Sequence, residues 1–235
     1  MITLQLEQGL AELGLRPPPE AADQLDRYAQ LLLEKNQVMN LTAITEPGQV
    51  ASLHMLDCAA LLTLGELEGK TLVDVGTGAG FPGMVLKILS PSLDVTLLDS
   101  LAKRLDWLEE VREELGLTGI GTVHARAEEY AVKHRESFDV ATSRAVAALP
   151  VLAELCLPLI KVGGVFLAMK SVDSEAELTR ASGAIAKLGG TVERTVDYAI
   201  PGTDVRHRVI VIRKTGKTPE KYPRAFAKIK KSPLS

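Results

Sequence analysis

Aromatic residues are scarce in this chain. Four Phe, four Tyr and one Trp make up 4% of its 235 residues. Aliphatic side chains must therefore fill most of a core, and a hydrophobic content of 46% supplies enough of them to argue against wholesale disorder. Cysteine is nearly absent. Cys58 and Cys156 lie far apart, with no C-x-x-C and no metal-ligand spacing. That speaks against a disulfide framework and a structural zinc site, so no metal is expected and a reducing cytoplasm is the expected compartment. No stretch approaches ~20 uninterrupted apolar residues, so no transmembrane helix is expected. The segment MITLQLEQGLAELGL has no basic start and carries Glu7 and Glu12 within its apolar run, so it does not read as a signal peptide.

Charge is nearly balanced over the whole chain, at −3, but not along it. From Thr203 onward there are ten basic residues against Asp204 and Glu220, a net of about +8, leaving about −11 for the rest. Two readings fit that composition equally. One is a solvated, solubilising tail. The other is a contact for a polyanion, with Arg206, Arg208, Lys221, Arg224, Lys228, Lys230 and Lys231 as candidate phosphate-binding residues, since clustered Lys and Arg gain affinity by releasing phosphate counterions.

Residues 1–70 read as a helical cap. Leu4, Leu10 and Leu13 lie near helical spacing, and Gly14 with Pro17-Pro18-Pro19 stops that segment. A second helix is expected over Glu20–Val38, and a third over Gln49–Leu64 after the loop 40–45. The pattern then changes to short apolar runs at 71–75, 95–99, 119–124, 138–142 and 164–169. Helical stretches separate them at Pro82–Leu89, Lys103–Leu115 and Ala148–Ile160. This alternation predicts a mostly parallel sheet covered on both faces. After a helix at Ser174–Leu188, the runs Thr191–Ile200 and His207–Arg213 flank Pro201-Gly202 and predict an antiparallel pair at the sheet edge. The expected organisation is a cap (1–70), a doubly wound α/β domain (71–214) and a basic tail (215–235).

The most informative segment is DVGTGAGFPG at 74–83, which follows the first strand and opens a helix. Glycines there allow a ligand to approach the backbone closely, at the strand end where such folds bind ligands. GAGFPG formally fits G-x-G-x-x-G, so a nicotinamide dinucleotide is one reading, and an oxidoreductase the matching alternative. Asp74 argues against it, because a carboxylate beside the loop would repel a pyrophosphate. It favours a ligand bearing positive charge, and S-adenosylmethionine carries an ammonium and a sulfonium. Fold logic therefore assigns Asp74, Gly78 and Gly80 to cofactor binding. Asp99, ending the second strand, is placed to accept hydrogen bonds from ribose hydroxyls.

Ala127 is small enough to allow stacking of a base, whereas Glu128 on residue type alone reads as an ordinary helix N-terminal acid. Arg144 follows the fourth strand and should project over the pocket, or serve a structural salt bridge. His54 and Asp57, at i and i+3, share a helix face. They reach the site only if the cap packs over it, and otherwise form a surface pair.

Several segments together resemble the bacterial ribosomal RNA small-subunit methyltransferase G family, also called glucose-inhibited division protein B. They are NLTAIT (40–45), HMLD (54–57), DVGTGAGFPG (74–83), LLDSLAKR (97–104), RAEEY (126–130), FDVATSRAVA (138–147), PLIKVGG (158–164) and KYPR (221–224). The resemblance implies a Rossmann-like S-adenosylmethionine-dependent methyltransferase. It further implies methyl transfer to N7 of a guanosine in the 530 loop of 16S ribosomal RNA, free or in the small subunit. By motif position it places cofactor contacts on Gly76, Phe81, Ala127, Glu128 and Arg144. Two departures stand out: Cys58 where the family usually has Ser after H-x-x-D, and RAFAKIKKSPL where it commonly carries a glycine and a proline before K-x-P-L. Guanine N7 has a free lone pair and no hydrogen, so this chemistry needs orientation rather than a general base. Arg144, His54 and Asp57 are accordingly expected to position the cofactor or the base.

Overall fold

The computed structural model describes residues 2–235. Strands β1 (Thr71–Val75), β2 (Asp94–Asp99), β3 (Ile120–His124), β4 (Phe138–Arg144), β5 (Ile160–Ser171), β6 (Gly190–Ala199) and β7 (Arg206–Lys214) form one seven-stranded sheet. Their order is β3-β2-β1-β4-β5-β7-β6. β1 to β5 are parallel, and β7 runs antiparallel to both β5 and β6. The strand running against the rest is thus β7, one position in from the edge that β6 occupies. β7 takes the inner place because it is the apolar strand of the pair: Val209 to Ile212 are all buried, while β6 alternates half-buried and exposed residues.

Helices α5 (Gly83–Leu89), α6 (Ala102–Glu114), α7 (Ala127–Lys133), α8 (Leu149–Cys156) and α9 (Glu175–Lys187) alternate with the strands. The expected helix to Ile160 ends earlier, at Cys156, and Ile160 already begins β5. Pro158 explains the shift. It lacks the amide hydrogen an α-helix interior needs, so residues 157–159 tighten into a short 3₁₀ turn.

The cap consists of α1 (Thr3–Glu12), α2 (Ala21–Met39) and an irregular helix at 47–64. That last segment starts with α3 (Pro47–Val50), widens into a π-helical turn at Ala51–Leu56, continues as α4 (Asp57–Ala59) and ends in a 3₁₀ turn at Ala60–Leu64. Its apolar residues belong to the same core as one face of the sheet: Leu6, Leu25 and Tyr28 share a cluster with Leu86, Val95 and Val211. Burying that face against the sheet is what holds the cap.

Residues beyond β7 pack against the opposite face rather than trailing into solvent. Arg224 donates from its backbone and guanidinium to the fully buried Glu154 at 2.7–2.9 Å. Arg135 donates to the carbonyls of Tyr222 and Thr218 at 2.6 and 2.7 Å. Ile229, on the short helix α10 (Phe226–Lys231), is fully buried.

Candidate active site

The sheet order reverses between β1 and β4, and a cavity of about 770 Å³ opens at the carboxyl ends of these strands and β2. Its floor is the loop after β1. Asp99 organises that loop: Oδ2 accepts from Gly78 N and Oδ1 from Leu101 N, both at 2.9 Å. Each carboxylate oxygen keeps a lone pair for a hydroxyl donor. Gly78 has φ +59° and a Cβ added there would meet nothing closer than 3.9 Å, so it leaves an open cradle facing the cavity.

Two residues assigned to the cofactor from the glycine pattern lie outside the cavity lining and hold the loop in place. Asp74 is fully buried and does not line the cavity. Its Oδ2 accepts from the Thr77 hydroxyl at 2.7 Å and from Gly83 N at 2.9 Å, pinning the loop to the start of α5. Burial pushes its carboxyl up to about 6, against the pull of those two hydrogen bonds. Gly80 also lies outside the lining. A Cβ there would collide with the Tyr28 hydroxyl and stand 2.8 Å from Leu108, so its missing side chain admits the cap helix α2. Tyr28 donates to the Ala79 carbonyl and packs on Phe81, ring centroids 5.4 Å apart.

The opposite wall is a polar network linking three remote parts of the chain. Arg144, at the end of β4, donates to Asp57 Oδ2 at 3.1 Å, to the Leu53 carbonyl at 3.1 Å and to His54 Nδ1 at 2.9 Å. Asp57 Oδ1 accepts from the Tyr198 hydroxyl at 2.7 Å and from His207 Nδ1 at 2.8 Å. Burial pushes the Asp57 carboxyl up, but the His207 hydrogen bond, the Arg144 charge and the Tyr198 hydrogen bond outweigh it and hold it below its ordinary value.

A guanidinium can only donate, so His54 Nδ1 is an acceptor and Nε2 carries the proton toward Thr42 Oγ1, 2.7 Å away. Burial, reinforced by Arg144, pushes His54 down to about 4. It is a neutral imidazole, stacked on Phe81 at 4.6 Å, with Arg144 5.0 Å above the same ring. His207 moves the other way, raised by its hydrogen bond to Asp57.

Gly76, Gly78, Phe81, Asp99, Ala127, Glu128, Arg144, His54 and Asp57 therefore meet around one cavity, while Asp74 and Gly80 stand behind it. Of the basic candidates, Arg208 and Arg224 are not free for phosphates. Arg208 is 9% exposed and held by Asp197 and Glu175, and Arg224 is bound to Glu154. A charge count along the chain cannot see such partners. Arg206, Lys221, Lys228, Lys230 and Lys231 are exposed and make no ion pair among the described residues. The sequence reading missed Thr42, Lys170, Tyr198, His207 and Phe226. Thr42 lay in NLTAIT and Phe226 in RAFAKIKKSPL, while Tyr198 and His207 lay in runs read only as edge strands.

A glycine-loop cavity at the switch point, with an acid at the end of β2 and room for a nucleoside, defines a Rossmann-like nucleoside-binding domain, and the comparisons place it among S-adenosylmethionine-dependent methyltransferases. Solved structures share the fold. TrmN from Thermus thermophilus aligns with a TM-score of 0.52 at 24% identity, over 67% of this chain and 48% of that one. M. jannaschii TYW2 in complex with AdoMet gives 0.52 at 16% identity, over 63% and 71%. The model of the family described as rRNA small subunit methyltransferase G matches residues 21–205. The Ribosomal RNA small subunit methyltransferase G of Acetivibrio thermocellus is 45% identical over 232 residues, 98% of this chain and 96% of that one. Its namesake from Lachnoclostridium phytofermentans is 47% identical over 230 residues, 97% and 95%. The chain belongs to the rRNA small subunit methyltransferase G family.

No helix among the described residues is long and apolar enough to cross a membrane. Nor does any group of His, Cys, Asp and Glu among them stand ready to hold a metal.

Proposed function

We propose that this chain methylates N7 of a guanosine in the 530 loop of 16S ribosomal RNA, in the cytoplasm. S-adenosylmethionine supplies the methyl group from its sulfonium centre. The cavity's residues fit that molecule: Asp99 for the ribose hydroxyls, the Gly78 cradle for close backbone approach, and Ala127 and Glu128 for the base end.

The match to ribosomal RNA small subunit methyltransferase G, 45% identical over 98% of the chain, carries the reading, and the acceptor wall is compatible with it. Asp57 receives three side-chain donors, and both His54 nitrogens are engaged. His207 also lines the cavity, with its Nδ1 held by Asp57, but guanine N7 has no proton to lose, so the proposed transfer calls on no general base. What the wall does instead is fix position. Arg144 is immobilised by Asp57, His54 and the Leu53 carbonyl, so Phe81 and the mouth of the cavity keep one geometry. An RNA base must leave its stack to enter, and Arg206, Lys221, Lys228, Lys230 and Lys231 are the proposed contacts for the surrounding phosphates.

The test is incubation with methyl-labelled S-adenosylmethionine and small subunits lacking the modification, followed by mapping of the label. Label at N7 of one 530-loop guanosine is expected. Label at another atom or nucleotide, or none on subunits or naked 16S rRNA from cofactor-binding protein, overturns the proposal.

A further inference from the structure

The C-terminal segment does more than present lysines. After Pro223 this chain reads RAFAKIKKSPL, with no helix breaker between Ala225 and Ser232. Residues 226–231 accordingly wind into α10. Phe226 and Ile229 stand at i and i+3, on one side of that helix. Ile229 is fully buried, while Lys228, Lys230 and Lys231 are exposed. The docking is firm at both ends. Arg224, just before the helix, is bound to buried Glu154, and Lys187 donates to the carbonyl of Ser235 at 2.6 Å.

This docking brings Phe226 to the cavity. Phe226 is part of the lining, together with Ala125, Ala127 and Glu128. The Arg126 guanidinium lies 4.5 Å from the ring centroid and also donates to Glu128 Oε1 at 2.6 Å. Phe226, Arg126 and Glu128 thus form one connected patch. Leu101, also in the lining, is an apolar side chain left 50% exposed. A flat aromatic ligand fits between apolar walls of this kind, and an aromatic side chain is a strong stacking partner for it.

We propose that Phe226 is the base-side wall of the cofactor cavity, so that the adenine of S-adenosylmethionine rests against a residue supplied by the C-terminal helix. This rests on the methyltransferase reading above. The basic face of α10 and a wall of the cofactor site are then one rigid element.

The experiment is calorimetric titration of S-adenosylhomocysteine into the full-length protein and its Phe226→Ala, Phe226→Leu and Phe226→Tyr variants, with ligand-free melting curves for each. Loss of the ring is expected to raise the Kd about three- to tenfold in Phe226→Ala. Phe226→Leu should fall between it and wild type, and Phe226→Tyr should stay within about twofold of wild type. In turnover assays the KM for the donor should rise in Phe226→Ala, with kcat at saturation and the KM for RNA unchanged. Wild-type affinity in folded Phe226→Ala or Phe226→Leu overturns this inference alone. So does equal weakening in Phe226→Tyr, or a loss confined to kcat. Failure of the wild-type protein to bind the ligand overturns the methyltransferase reading together with it.

Discussion

The two walls of the cavity are built on different principles. The glycine-loop side is local. Thr77 reaches Asp74 three residues away, Gly83 reaches it across nine, and Gly78 meets Asp99 across 21. The acceptor side is assembled across the chain. Arg144 meets Asp57 at a separation of 87 residues, Tyr198 at 141 and His207 at 150. A local loop is specified by the conformations its own residues allow. A long-range network exists only when cap, β4 and the β6–β7 pair are all in place, so it reports on the whole fold and also ties it together. The first wall should fail by steric misfit, the second by an unpaired buried charge.

Asp57→Ala should have the largest effect. It leaves the Arg144 guanidinium without its counter-charge and strips Tyr198 and His207 of their acceptor. A loss of about 3–5 kcal/mol is expected in equilibrium denaturation, together with loss of methyl transfer. A cost near that of an exposed salt bridge would show that the network does not bind the cap to the sheet.

The glycine loop predicts a ranking. Gly80→Ala combines a positive φ of +88° with collision against Tyr28 and Leu108, and should cost about 2–4 kcal/mol. Gly78→Ala, at φ +59° with open space around the new methyl, should cost only about 1–2 kcal/mol. The bulkier Gly78→Val places its side chain in the cavity and should abolish cofactor binding in a folded protein. Reversal of the stability order, measured by thermal unfolding, would mean that Gly80 does not seat the cap helix.

Titration sharpens the comparison further. His54 is held down to about 4, below the 6.5 of an ordinary imidazole. The unfolded chain therefore binds its proton more tightly than the folded one. Its contribution to stability is full above about pH 6.5 and is lost as the pH falls toward 4. Relative to His54→Gln, wild-type stability should drop by on the order of 1–3 kcal/mol across that window, the partial exposure of the ring tempering the effect. His207 works oppositely. Its folded value is raised, so its contribution is full below about 6.5 and lost as pH rises through that higher value. A wild-type and variant difference that is flat between pH 4 and 6.5 would place the His54 ring in solvent.

The smallest stability effect belongs to residues in neither wall. Replacing Lys228, Lys230 and Lys231 by Gln should change stability by less than about 0.5 kcal/mol. It should reduce the salt slope of RNA binding and leave cofactor affinity intact. An unchanged slope would remove α10 from the RNA contact.

Much of this was legible in advance. The alternation of short apolar runs and helices gave the parallel sheet, and the spacing of DVGTGAGFPG located the loop. The errors share one cause. A glycine pattern marks where a Cβ is unwelcome but not what approaches, so Gly80 looked like a ligand contact when it faces Tyr28. A carboxylate in such a loop has partners the pattern does not name: Asp74 Oδ2 holds Thr77 and Gly83, while Oδ1 is buried without a partner. Arg208 illustrates a missed signal. Once β6 and β7 are paired, Asp197 stands directly across from it. Pairing a hairpin before counting its charges would have removed Arg208 from the phosphate contacts.

The sequence by itself determined the order of strands and helices, the glycine loop, the acid at the end of β2 and the excess of basic charge after Thr203. Each depends on residues a few positions apart, whose backbone preferences and periodicity act before any tertiary contact forms. Only the tertiary structure decided which charges are free and which are paired, that β7 lies inside β6, that Asp57 joins Arg144 to Tyr198 and His207, and that Phe226 reaches the cavity. Those outcomes depend on which buried polar group finds a partner and which apolar face finds cover, and both are settled between segments far apart in the chain.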